Sequence, residues 1–177
     1  MRQRGIARRA ALALAVFATA AFTAPGAFAS PRIALSPLER GVLAEINAVR
    51  VRHHLPKLRL NGRLTAAALA HSRQMAKDGY FAHNSHDGSP FWKRIQRFYA
   101  SSPWRYWSVG ENLLWSSPDI DAHEALELWL KSPEHRANLL SAGWREVGVA
   151  AVHATQAGGV FHGLDVTIVT TDFGVRR

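Results

Sequence analysis

Apolar residues at Leu38, Val42, Leu43, Ile46 and Val49 recur at three- and four-residue steps, the stripe of an amphipathic helix. Its start is written just ahead: Ser36 can cap, Pro37 suits the first helical position, and Glu39 completes a capping box. Pro56 ends the segment, and "LRL" at 58–60 reads as extended. Asn61 then caps a second helix with Leu64, Ala67, Ala68 and Met75 facing inward and Gly79 as its stop. Ser89 and Pro90 open a third, with Phe91, Ile95 and Phe98 on the apolar side and its arginines in water. "VGENLL" at 109–114 reads as a short extended piece. Residues 120–131 form another helix through Ala122, Ala125, Leu126 and Trp129, and Ser132–Pro133 restart a short helix to Leu140. The period then changes. "EVGVAAVHA" and "LDVTIVTTDFGV" are rich in valine and threonine and read as strands, joined as a hairpin by the turn residues of "TQAGGVFHG". Helices first and strands last predict an α+β fold, with helices packed on a small antiparallel sheet.

The first 29 residues stand apart from this pattern. Arg2, Arg4, Arg8 and Arg9 precede the apolar run "AALALAVFATAAFTA", and Ala27 and Ala29 are spaced for cleavage before Ser30. That is the layout of a secretory signal peptide, too short and wrongly flanked for a stable membrane span. Residues 30–177 suit a single domain. The segment takes four arginines with it, so a net charge of +9 falls to +5. A mildly basic exported domain favours anionic partners such as an envelope polymer. With no cysteine in the chain, disulfides, thiolate metal sites and cysteine nucleophiles are excluded.

Polar side chains concentrate in "FAHNSHDG" at 81–88, "GEN" at 110–112 and "WLKSPEHRANLL" at 129–140. His83, Glu111 and His135 are expected to converge there. Two imidazoles and a carboxylate suit a divalent transition metal, zinc more than magnesium, with a water at an open position. Without metal, the same residues make an anion-binding or purely hydrogen-bonded network. Asn112 and Asn138 are expected to satisfy backbone groups, Arg136 to pair with a carboxylate, Asp87–Gly88 to form a turn, and His86 to face solvent at the rim. Rival motifs fail. "HEALE" at 123–127 has Glu127 where a zinc-protease helix needs its second histidine, and no nucleophile elbow, phosphate loop or dinucleotide fingerprint occurs. "FWKRIQRFYASSPWRYW" interleaves basic and aromatic residues, as some single-strand binders do; for an exported chain a glycan or lipid surface is the better match than nucleic acid.

In order along the chain, "INAVR", "FAHNSHDG", "GEN", "WLKSPEHRANLL", "EVGVA" and the closing "DFG" resemble the motifs of the CAP superfamily, also called SCP or PR-1-like, and its compact bacterial members in particular. The resemblance spans about Leu38 to Gly174. It implies an α-β-α sandwich with a groove and, in many eukaryotic members, a cluster of two His and two Glu. His83, Glu111 and His135 match three of these; Ser132 stands where the second Glu would be. The expectation is an exported, non-catalytic binding module, secreted or periplasmic, for a divalent metal or a lipid, glycan or peptide. The alternative is a metal-assisted hydrolase of peptides or envelope polymers, which the missing second carboxylate disfavours.

Overall fold

The computed structural model describes residues 34–177. The expected signal peptide and its cleavage point lie outside the described residues. Five helices and four strands follow in the order α1 (Pro37–Arg52), β1 (Arg59–Leu60), α2 (Gly62–Asp78), α3 (Phe91–Phe98), β2 (Trp107–Ser116), α4 (Ala122–Lys131), α5 (Pro133–Leu139), β3 (Glu146–Ala157) and β4 (Leu164–Arg176). The caps form as the sequence dictates. Ser36 and Glu39 close a reciprocal capping box on α1, Asn61 caps α2, and Gly79 ends α2 in the left-handed conformation at φ 67°.

The strands form one sheet in the order β1-β3-β4-β2. β2 and β3 both run antiparallel to β4, while the two-residue β1 runs parallel to β3. The expected hairpin is β3–β4, closed through a 3-10 turn at Gly159–Phe161. "VGENLL" proves to be the middle of a ten-residue strand. Its length is hidden in the sequence because β2 is not a free-standing amphipathic strand: five consecutive residues, Gly110–Leu114, are buried on both faces, so no alternation marks its ends.

Helices cover both faces of the sheet. On one, α1 and α4 pack Val42, Ile46, Leu126 and Trp129 against Val147, Val149 and Phe173. On the other, α2 supplies Met75 against Ile168 and Phe161, and Leu64 and Ala67 against Ile95 and Tyr99 of α3 and the segment after it. This is the α-β-α sandwich. Gly148 sets the depth of α2. A Cβ at this position would collide with the main chain at Leu64 C and Thr65 N, so only glycine lets the helix start lie on the strand. Side chains also reach the two outer margins of the sheet. Glu39, besides capping α1, accepts from the main-chain N–H of Ala151 at 3.0 Å. Asn138 donates to the carbonyl of Glu111 at 3.1 Å, and the Trp129 indole donates to that of Leu113 at 3.1 Å.

Candidate functional site

Antiparallel pairing places Glu111 of β2 directly opposite Asp172 of β4, and Asp172 opposite Gly148 of β3. Partners in register share a face, so the two carboxyl groups lie side by side on the α2–α3 side of the sheet. Both are buried: Glu111 is 3% exposed and Asp172 0%. Arg94 of α3, 5% exposed, supplies the cation. Its Nη2 makes an ion pair with Glu111 Oε2, and its Nη1 donates to the carbonyl of His83 at 3.0 Å. His83 Nδ1 lies 2.9 Å from Glu111 Oε1.

Asp172 has no such help; neither of its oxygens meets a hydrogen-bond donor. Burial therefore drives its pKa well above the usual aspartate range, and the neighbouring Glu111 charge pushes the same way, against the pull of Arg94. Burial also raises Glu111, while Arg94 opposes it. Both shifts favour keeping a proton on the pair, and the fully buried Asp172 is pushed up without the facing cation that Arg94 gives Glu111. When Glu111 is ionised it can only accept, which places the hydrogen of a neutral His83 on Nδ1 and leaves the Nε2 lone pair free. Burial, then the Arg94 charge, lowers the His83 pKa. Burial and the neighbouring His83 lower that of His135. Both shifts favour the neutral imidazole at pH 7.

The ring of His135 is 6.5 Å from that of His83, centre to centre. It is fixed through its backbone: Asn112 donates to the His135 carbonyl at 3.0 Å, and Asn138 donates to Asn112 Oδ1 at 2.9 Å, clamping α5 to β2. The three expected residues thus come together from a loop, a strand and a short helix, but not as equals. His83 and His135 are solvent-accessible; Glu111 is sealed behind His83 with both oxygens occupied. The Glu111 carboxylate faces inward to Arg94 rather than toward the lip. Among the described residues, no three His, Cys, Asp or Glu side chains are grouped to hold a metal ion.

Asp87 accepts from the N–H of Ser89 at 2.9 Å within its own turn. His86 is exposed and its ring lies 5.2 Å from that of Tyr80. Ser132 turns its hydroxyl to Glu134 at 3.3 Å, and Arg136, expected to pair with a carboxylate, is exposed and makes no ion pair among the described residues. Sequence reasoning misses Arg94 and Asp172. Charge assigns Arg94 to solvent, yet position 94 lies on the same helical stripe as Phe91, Ile95 and Phe98; the structure buries Arg94 and leaves Phe98 37% exposed.

A direct test of the shared proton is Asp172→Asn. A carboxyl whose folded pKa exceeds its unfolded value, about 3.9, favours the fold less as pH rises between the two. Removing it should stabilise the domain at pH 8, with the gain shrinking toward pH 4.5. Urea unfolding at the two pH values measures this, and a loss of stability at pH 8 would refute the assignment.

A sequence profile of the cysteine-rich secretory protein family, CAP, matches residues 43–172. The chain belongs to the CAP family. Its similarity to the Bacillus subtilis membrane protein YlbC is 30% identity over 111 residues, 63% of this chain and 30% of that one. With the Bacillus subtilis protein YkwD it is 31% over 121 residues, 68% and 44% of the two chains. This CAP chain therefore spans less than half the length of both relatives. Its fold matches an extracellular SCP-domain protein of Bacillus anthracis at TM-score 0.57 and 29% identity, covering 81% of this chain and 45% of that one. It also matches an outer surface protein of Borrelia burgdorferi at TM-score 0.60 and 20% identity, covering 78% and 92%. With no cysteine in this CAP chain, no disulfide braces the sandwich. No described helix is long and apolar enough to cross a membrane.

Proposed function

We propose that this CAP chain is an exported, non-catalytic binding module whose ligand is taken at the His83–His135 lip. The observation that carries this reading is the engagement of Glu111. A metal-assisted hydrolase needs a carboxylate free to accept a proton from water, and here both Glu111 oxygens are taken by Arg94 and His83. Asp172 is fully buried and cannot stand in. The extracellular SCP-domain protein of Bacillus anthracis supports export as the setting.

The donor set fits a divalent ion through two imidazoles rather than through three ligands. His83 presents Nε2 while Glu111 holds Nδ1–H, the arrangement in which a carboxylate orients a metal-bound histidine and raises its basicity. His135 would be the second ligand, and the remaining positions belong to water or to an oxygen of the ligand. An ion held this way would supply a Lewis acid at the lip, zinc being better suited than magnesium to nitrogen donors.

Calorimetric titration with zinc at pH 7.5 tests this. His83→Ala and His135→Ala should each abolish measurable binding without unfolding the domain. Glu111→Gln should weaken it by about tenfold to a hundredfold, the range for removing such an orienting partner. Lowering the pH should weaken wild-type binding as protons compete for the imidazoles. Zinc affinity unchanged in both histidine variants would end the metal reading. Turnover of peptide or glycan substrates would end the non-catalytic one.

A further inference from the structure

The basic-aromatic segment between α3 and β2 is not used by the His83–His135 lip, and the structure gives it a defined surface. Its two flanks are pinned. The Trp107 indole donates to the Tyr99 carbonyl at 2.8 Å. Tyr106 and Arg177 exchange two backbone hydrogen bonds at 2.8 and 3.0 Å, one step beyond the β2–β4 ladder. Between the flanks, Trp104 and Tyr106 are pushed into solvent, 44% and 46% exposed. Cations stand over their rings. The Arg176 guanidinium lies 5.1 Å from the Trp104 ring centre and 4.1 Å from that of Tyr99, and that of Arg177 lies 4.7 Å from Tyr106. Arg105 is exposed between the two aromatics. No Asp or Glu occurs between Asp87 and Glu111. The acid beside this region, Glu146, is occupied by the Tyr99 hydroxyl at 2.6 Å and the Asn61 amide at 3.0 Å.

We propose that Trp104, Arg105, Tyr106, Arg176 and Arg177 form a docking surface for the headgroup layer of an anionic lipid membrane. Three features select lipid over a soluble polyanion. Exposed indole and phenol rings on a fixed loop suit the amphipathic zone between headgroups and acyl chains. Arginines beside them match anionic headgroups within a Debye length. Stacking of a sugar on Trp104 or Tyr106 would compete with the arginine already over each ring. The surface would lie on the membrane rather than span it, and it would hold the domain reversibly.

The test is co-sedimentation of the full chain with vesicles of phosphatidylcholine alone or mixed with phosphatidylglycerol. Every variant keeps residues 1–29, so any contribution of that segment is common to all. Three double variants are compared with wild type: Trp104→Ala with Tyr106→Ala, Arg105→Gln with Arg177→Gln, and, as a control of equal charge, Arg52→Gln with Lys57→Gln. The last two residues line a separate shallow concavity on α1 with Leu43 and Val51. Circular dichroism checks the fold. The aromatic and arginine pairs should each weaken binding to mixed vesicles by roughly tenfold or more, because each removes contacts to the headgroup layer. The control should change it little, and Trp104 fluorescence should shift to the blue on binding. Equal weakening by the control pair would overturn the proposal, because net charge alone would then act. So would equal retention on phosphatidylcholine alone. Tight binding to a soluble anionic polysaccharide that survives loss of Trp104 and Tyr106 would reassign the surface to a polymer.

Discussion

Arg94→Ala is expected to cost about 3–5 kcal/mol of folding stability, the usual penalty for leaving one charge of a buried pair without its partner. Glu111 would then face Asp172 with only the edge of His83 for company. The carbonyl of His83 would also lose its Arg94 donor, so the loop carrying that histidine should loosen. The informative comparison is Arg94→Met combined with Glu111→Gln. Removing both charges and keeping the volume is often neutral for a buried pair, so the double variant should recover most of the loss. Urea unfolding of wild type, the two single variants and the double gives the coupling energy directly. A coupling below about 1 kcal/mol would mean that the pair sits in the fold without holding it. Zinc titration of the double variant separates stability from binding, because the two imidazoles would still be present but His83 would have lost its orienting carboxylate.

The second large effect is expected at Gly148. In Gly148→Ala the new methyl would meet main-chain atoms of Leu64 and Thr65, not a side chain that can swing aside. Overpacking a core costs about 1–3 kcal/mol where side chains yield and more where backbone must move. Gly148→Ala should therefore lose more than about 3 kcal/mol and express poorly. Gly88→Ala is the matched comparison. Its Cβ would meet nothing within 4 Å, but the residue has φ +79°. Its cost is the left-handed backbone alone, about 1–2 kcal/mol. Thermal and urea unfolding of the two variants test the difference. Similar losses would show that α2 can shift on the sheet after all.

These two positions mark what a linear reading can and cannot find. Helix starts are local chemistry: Ser36-Pro37-x-Glu39 and Asn61 specify their caps within four residues, and they form as written. The hairpin is legible because its turn is rich in glycine and its strands in valine and threonine. The motif residues His83, Glu111 and His135 are legible by resemblance. Arg94 and Asp172 are not, because their meaning depends on register. Asp172 acquires its role only when β4 pairs with β2 so that 172 faces 111, and nothing within β4 announces that alignment. Arg94 reads as solvent-facing by its charge, when its place on the apolar stripe is the better guide. Gly148 is the same kind of case; a glycine in a strand signals a close approach, but not which helix approaches.

Glu39, Asn138 and Trp129 also occupy main-chain groups at the two margins of the sheet. Many binding domains capture extended peptides by letting them add a strand to an open sheet margin, where main-chain groups supply the affinity. Here the margin of β3 beyond the short β1 is met by the Glu39 carboxylate, and the outward carbonyls of β2 at Glu111 and Leu113 are already claimed by an amide and an indole. An incoming strand would have to displace these contacts before gaining its own. The same plugs discourage copies of the domain from stacking margin to margin into fibres, a safeguard for a sandwich that no disulfide locks. A partner of the kind proposed above would therefore have to be met by side chains rather than by added main-chain pairing.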